Sequence, residues 1–196
     1  MKVKGQNTTD IIFRNAHSMV YNSKESRIYL FGGADEKEVK SELYYLQARK
    51  WHKIQVSRSP SARTFASMVY DPDQDRVILF GGNKVLFGKE TKSTNLLNDT
   101  WQFKNGEWIL IQMENAPPPR AEASMVFNPL KKSIILFGGY TIINDDYVKL
   151  ADTWEFYKGT WSKLSENGPS ARNGANMVSD LENNRILLFG GSTKAL

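Results

Sequence analysis

A chain of 196 residues, 40% hydrophobic and 12% aromatic, is long enough and apolar enough to bury one ordinary core. It contains no cysteine, which excludes disulfides, thiolate metal sites and cysteine nucleophiles. Its net charge of +5 is not gathered into any block, so it favours an acidic partner mildly and does not point to nucleic acid.

The chain opens Met1-Lys2-Val3-Lys4-Gly5-Gln6 with no apolar signal-peptide region behind it. No segment reaches the length of a membrane span. The expectation is a cytoplasmic protein with no membrane partner. A first unit begins at Arg14. A short strand through Met19-Val20 follows, then the polar turn Asn22-Ser23-Lys24-Glu25, then Ile28-Tyr29-Leu30 running into Phe31-Gly32-Gly33. Tyr44 and Trp51 mark two further strands.

A second unit begins at Arg63. It runs through Met68-Val69, the turn Asp71-Pro72-Asp73-Gln74, and Val77-Ile78-Leu79 before Phe80-Gly81-Gly82. Trp101 and Trp108 lie on its outer strands, with Asn105-Gly106 as a tight hairpin turn between them. The third unit repeats the order from Arg120: Met125-Val126, Asn128-Pro129-Leu130-Lys131, Ile134-Ile135-Leu136, Phe137-Gly138-Gly139, then Trp154 and Trp161. The fourth has Arg172, Met177-Val178, Asp180-Leu181-Glu182-Asn183, Ile186-Leu187-Leu188 and Phe189-Gly190-Gly191, with no aromatic pair after it.

The spacing is regular. Each arginine stands 18 positions before the first glycine of its pair, and each Met-Val begins five positions after its arginine. The paired aromatics are seven apart in the first three units. The arginines recur at 49, 57 and 52 residues, so one supersecondary unit of about 50 residues is repeated. Each unit reads as four short strands, A to D. The glycine pairs let neighbouring backbones approach closely. The recurring aromatics read as core between adjacent units.

This arrangement resembles the kelch motif. Asp99-Thr100-Trp101 and Asp152-Thr153-Trp154 are similar to the form found in galactose-oxidase-type central-domain repeats. The resemblance implies an all-β, kelch-type β-propeller: three full four-stranded blades plus a partial fourth. Residues 1–196 read as a single propeller segment with units starting near Arg14, Arg63, Arg120 and Arg172. Propellers have about four to eight blades, so the expectation is an incomplete ring. Residues 1–13 are a candidate closing strand, since aligning Arg14 with Arg172 places Val3 where Trp161 stands. The ring is otherwise completed by a longer chain, or by a second copy or a related chain; a tight, imperfect four-bladed ring is the less favoured alternative.

Length varies almost only between Gly-Gly and the first aromatic: 12, 20 and 16 residues in the three full units. These B–C loops share a face with the D–A loops that end at the arginines. Long loops on a rigid scaffold are where binding concentrates. Arg14, Arg63, Arg120 and Arg172 are therefore expected to form an arc around one mouth of the channel. In kelch adaptors of ubiquitin ligases, arginines at this motif position capture acidic peptides, and the resemblance carries that role to these four. Because they recur in every unit, they also fit a structural role as donors to loop carbonyls. His17, Phe65, Glu122 and Asn173 differ between units and are the candidates for tuning a ligand.

Other chemistry finds little support. The stretch from Gly82 to Glu90 has the wrong spacing for a phosphate loop and no Ser or Thr after its lysine. His17 and His52 are the only histidines, too few for a metal site without cysteine. Copper-radical oxidase chemistry of the galactose-oxidase kind, as that resemblance implies, needs a cysteine cross-linked to tyrosine. No cofactor is expected. The leading expectation is a non-enzymatic scaffold that binds a protein or acidic peptide on the arginine face. One alternative is a sugar epimerase or mutarotase-like enzyme of the kelch type, with Glu122 as its acid–base group. The other is a structural part of a larger propeller assembly.

Overall fold

The computed structural model describes residues 13–86, 89–166 and 168–193. The closing strand expected from residues 1–13 lies outside the described residues apart from Phe13. The all-β expectation holds: among the described residues the single departure from strands, turns and loops is one 3-10 turn, Ser93–Asn95.

Three antiparallel sheets of four strands follow the first three units. The first has the order β1 (Ser18–Asn22), β2 (Arg27–Phe31), β3 (Leu43–Gln47), β4 (Lys50–Ile54). The second has β5 (Ser67–Asp71), β6 (Arg76–Asn83), β7 (Leu96–Lys104), β8 (Glu107–Ile111). In the third, β9 (Ser124–Asn128) and β10 (Ser133–Phe137) continue to β13 (Thr153–Tyr157) and β14 (Thr160–Ser165). The fourth unit supplies one pair, β15 (Asn173–Asp180) with β16 (Arg185–Ser192).

The turns form for local reasons. Asn22 Oδ1 accepts the backbone N–H of Lys24 and Glu25, and Asp71 Oδ1 accepts those of Asp73 and Gln74. These side-chain contacts close each A–B hairpin. Asn105 and Gly106 both have positive φ, 54° and 83°, as a two-residue hairpin turn requires.

Two B–C loops are more ordered than a loop reading allows. In the third unit, β11 (Tyr140–Ile143) and β12 (Asp146–Lys149) form a separate hairpin, turned by Asn144 and Asp145 at positive φ. In the second, β6 continues past Gly81 and pairs Gly82 and Asn83 with Leu97 and Leu96.

The sheets stack face to face, and the core lies between them. Tyr29, Phe31 and Leu43 of the first pack on Val77, Leu79, Trp101, Phe103 and Trp108 of the second. Val69, Ile78 and Phe80 of the second pack on Ile134, Leu136, Trp154, Phe156 and Trp161 of the third. The same aromatic pair recurs at each junction. Phe31 meets Trp108 edge-on at 5.3 Å and 63°, and Phe80 meets Trp161 at 5.3 Å and 62°. Each such side chain contributes about 1.5–3 kcal/mol by leaving water, so the stack is held chiefly between sheets.

Backbone contacts set how close the sheets come. A β-carbon on Gly32 would lie 2.6 Å from the Arg63 carbonyl oxygen, and one on Gly81 would lie 2.6 Å from that of Arg120. Gly138 meets the Arg172 carbonyl in the same way. The second glycine of each pair donates its N–H to that carbonyl, at 2.8, 2.8 and 2.9 Å. Gly190 differs: nothing lies within 4 Å of its β-carbon position. Beside it Phe189 is 84% exposed, whereas Phe80 at the same repeat position is 1% exposed. Among the described residues the fourth unit leaves open the face that a following sheet covers in the other three.

This asymmetry gives a test. Gly81→Ala adds a backbone clash to a positive φ and is expected to destabilise by about 3 kcal/mol or more. Gly190→Ala meets only the left-handed φ and is expected to destabilise by about 1 kcal/mol. Denaturant titration of both variants separates them; equal losses would refute the close approach as the reason for glycine at position 81.

Candidate functional site

The arginines turn into the sheets. Each donates through Nη1 to the carbonyl of the first glycine of its own unit: Arg14 to Gly32 at 3.0 Å, Arg63 to Gly81 at 3.0 Å, Arg120 to Gly138 at 3.1 Å, Arg172 to Gly190 at 2.9 Å. Arg63 also holds both oxygens of Asp99, at 2.6 and 2.8 Å, and Arg120 holds both of Asp152 at the same distances. Their Nε atoms donate to the carbonyls of Ser61 and Pro118. Both guanidinium side chains are fully buried, and every nitrogen has an acceptor. Arg14 reaches Glu42 at 3.2 Å instead. Arg172 makes no ion pair among the described residues, because its unit has no described strand carrying the equivalent acid.

The acids complete a local network. Asp99 also accepts the Trp101 indole N–H at 2.7 Å, and Asp152 accepts that of Trp154 at 2.6 Å. Burial alone would raise both carboxyls. The guanidinium beside each, with the indole N–H, outweighs it and holds both below the usual carboxylate range.

Two positions after each arginine the backbone turns left-handed. Ala16, Phe65, Glu122 and Gly174 have φ of 51°, 54°, 55° and 67°. The Phe65 N–H donates to the Ala16 carbonyl, Glu122 to Phe65, and Gly174 to Glu122, at 2.8, 3.0 and 3.0 Å. This ladder runs from unit to unit, with the same turn in each. For non-glycine residues such a turn costs about 1–3 kcal/mol, so the packing around it must supply that energy.

Beside this ladder lies a cavity of about 410 Å³ lined by Phe65, Asn83, Thr91, Glu122, Tyr140, Tyr147 and Asn173 together with exposed Lys89 and Asp145. Asn173 Nδ2 donates to Glu122 Oε2. Asn83 Nδ2 donates to Tyr140 Oη at 3.1 Å and Thr91 Oγ1 at 2.9 Å. The rings of Tyr140 and Tyr147 stack at 4.2 Å between centroids, 21° from parallel. Burial raises the Tyr147 hydroxyl pKa, and the charge of Glu122 raises it further. Burial also raises that of Tyr140; the Asn83 hydrogen bond opposes this and Glu122 adds to it.

Phe65, Glu122 and Asn173, which vary between units, therefore meet in one cavity. His17 lies outside it; its imidazole is half-buried and held below its ordinary pKa by burial. Sequence reasoning misses Asn83, Tyr140 and Tyr147. A signal for two of them is present: the residue after each Gly-Gly is Ala34, Asn83, Tyr140 and Ser192, a varying position beside an invariant one. A larger cavity, about 520 Å³, lies at Arg14, Lys40, Glu42 and Lys53 on the first sheet. Five of its charges pair with one another: Arg14 and Lys53 with Glu42, Lys40 with Asp35.

Among the described residues no group of three or more His, Asp or Glu side chains could hold a metal ion, and no helix is long and apolar enough to cross a membrane. Stacked antiparallel sheets, each locked by an arginine reaching its own Gly-Gly, define a kelch-type β-propeller. The chain belongs to the kelch-repeat family: the family model described as "KLHDC2/KLHL20/DRC7 Kelch-repeats domain" matches residues 2–191. Domains of this family usually serve as protein-interaction scaffolds.

The buried ion pairs make a prediction about acid stability. Asp99→Asn leaves the buried Arg63 charge uncompensated and is expected to destabilise by about 3 kcal/mol. A carboxyl lowered in the folded state stabilises above its unfolded pKa, near 4, and loses that contribution as pH falls through the folded value. Unfolding curves between about pH 6 and pH 2 should therefore be less steeply pH-dependent in Asp99→Asn than in the parent. An unchanged slope would refute the coupling.

Proposed function

We propose that this chain is a non-enzymatic binding module that takes a protein or peptide partner on the face carrying the B–C and D–A loops. The observation that carries the reading is the left-handed ladder. It fixes one backbone position per unit through main-chain atoms alone, and the side chains of two of these positions, Phe65 and Glu122, line a single cavity. The ligand contacts are assigned to Phe65, Glu122 and Asn173. Arg63 and Arg120 hold the scaffold, since every guanidinium nitrogen of each donates within it.

A second contact is supported by the exposed face of β16. Phe189, the open space at Gly190, and Arg172 without an ion pair among the described residues together match a junction between units. We assign this face to a neighbouring blade-type sheet, from another copy, a related chain or further sequence, with an acid placed for Arg172.

Two measurements test these readings. Peptides selected from a displayed random library against the whole chain should protect the backbone around Phe65, Glu122 and Asn173 from hydrogen exchange, and Phe65→Ala should weaken them about tenfold. Protection confined to other faces would refute the ligand site. The chain should self-associate in light scattering, and Phe189→Ser should reduce that association; a monomer with unchanged mass and cooperative unfolding would refute self-association through this face.

A further inference from the structure

Glu122 stands in the cavity wall with one side-chain partner among the described residues. It is only partly exposed, and no cation pairs with it among the described residues. Among those residues Asn173 Nδ2 is the one side-chain donor bonded to its carboxylate. Lys89, the one cation lining the cavity, makes no ion pair with it. Asn83 Nδ2 donates its two hydrogen bonds to Thr91 and Tyr140, so that amide nitrogen is engaged elsewhere. A carboxylate held partly out of water with one hydrogen bond is stabilised by any cation that enters.

The backbone makes the choice of residue informative. At this repeat position the turn suits glycine, and Gly174 is glycine. Glutamate at φ 55° adds strain without filling a core space. Across the cavity the stacked Tyr140 and Tyr147 rings offer an aromatic face. Both hydroxyls are held in their neutral form and so do not compete with Glu122 for a positive charge.

We propose that the cavity between Glu122 and the Tyr140–Tyr147 stack receives the guanidinium of an arginine side chain on a partner peptide. The plane of a guanidinium stacks on an aromatic ring while its edge meets a carboxylate in two parallel hydrogen bonds. The cavity volume of about 410 Å³ admits such a side chain with part of its backbone. This inference rests on the assignment of the ligand face above and names the ligand's charge, which is opposite to that expected from the arginine arc.

The test uses the whole chain and three short peptides of identical sequence except for one central residue: arginine, its neutral isostere citrulline, or glutamate. Calorimetry should show the arginine peptide binding about tenfold or more tighter than the citrulline peptide, with the glutamate peptide weakest. Glu122→Gln keeps an oxygen for Asn173 and should abolish the preference for arginine over citrulline. Tyr147→Leu, in a hairpin outside the four-stranded sheets, should weaken the arginine peptide severalfold and gives a second route should Glu122→Gln not fold. Glu182→Gln, the same charge change on the remote β15–β16 turn, should leave binding unchanged. Equal losses in Glu122→Gln and Glu182→Gln would overturn the proposal as general surface attraction. So would equal binding of the arginine and citrulline peptides, or tighter binding of the glutamate peptide. If library-selected peptides protect this face but none depends on a cation, the face stands and the guanidinium assignment falls. If they protect elsewhere, the face itself falls.

Discussion

The whole stack depends on a carbonyl passing where a side chain would be. The arginine carbonyl of each unit approaches the preceding Gly-Gly so closely that no β-carbon fits, and it accepts the second glycine's N–H there. The aromatic junctions follow from that spacing. Phe31 can meet Trp108, and Phe80 can meet Trp161, at one common distance because the backbones have already fixed the gap. The apolar surface supplies most of the free energy, but the glycines determine the distance at which it is gained.

The arginine side chain ties the same junction to the next layer of structure. It binds a carbonyl in its own unit, while its backbone belongs to the contact with the unit before. Buried ion pairs often add little net stability, since desolvation offsets the attraction. Here the contribution of the pair is geometric. Asp99 and Asp152 each join an arginine on the loop to an indole on the third strand. The long B–C loop that leaves the sheet is thus fixed at both ends. The loop can vary in length while its exit and return stay constant.

Much of this was legible in the sequence, and what was missed has physical causes. Fixed offsets exposed the repeat, because arginine and glycine are joined by a hairpin of constant length. The acid partner was hidden by the same logic: it lies 28, 36 and 32 residues from its arginine, across the variable loop, and only its distance to the aromatic is constant. The β11–β12 hairpin was hidden because the motif ends at Gly-Gly and assigns nothing beyond it. The arginine arc reads as a ligand surface from its position alone; in the structure the Arg63 and Arg120 side chains are buried and bonded to their own Gly-Gly carbonyls. Phe65, Glu122 and Asn173 carry the opposite signal, variation at a fixed place, and the fold brings them to one cavity.

The left-handed ladder has an evolutionary consequence. Positions 16, 65, 122 and 174 share one backbone shape and one hydrogen-bonding duty, both met by main-chain atoms. Alanine, phenylalanine, glutamate and glycine all satisfy that duty. A substitution there alters the surface beside the ladder without touching the glycine contacts, the arginine network or the aromatic junctions. The surface beside the ladder and the packing behind it are thereby written in separate letters of the same repeat, and a lineage can change one without relearning the other.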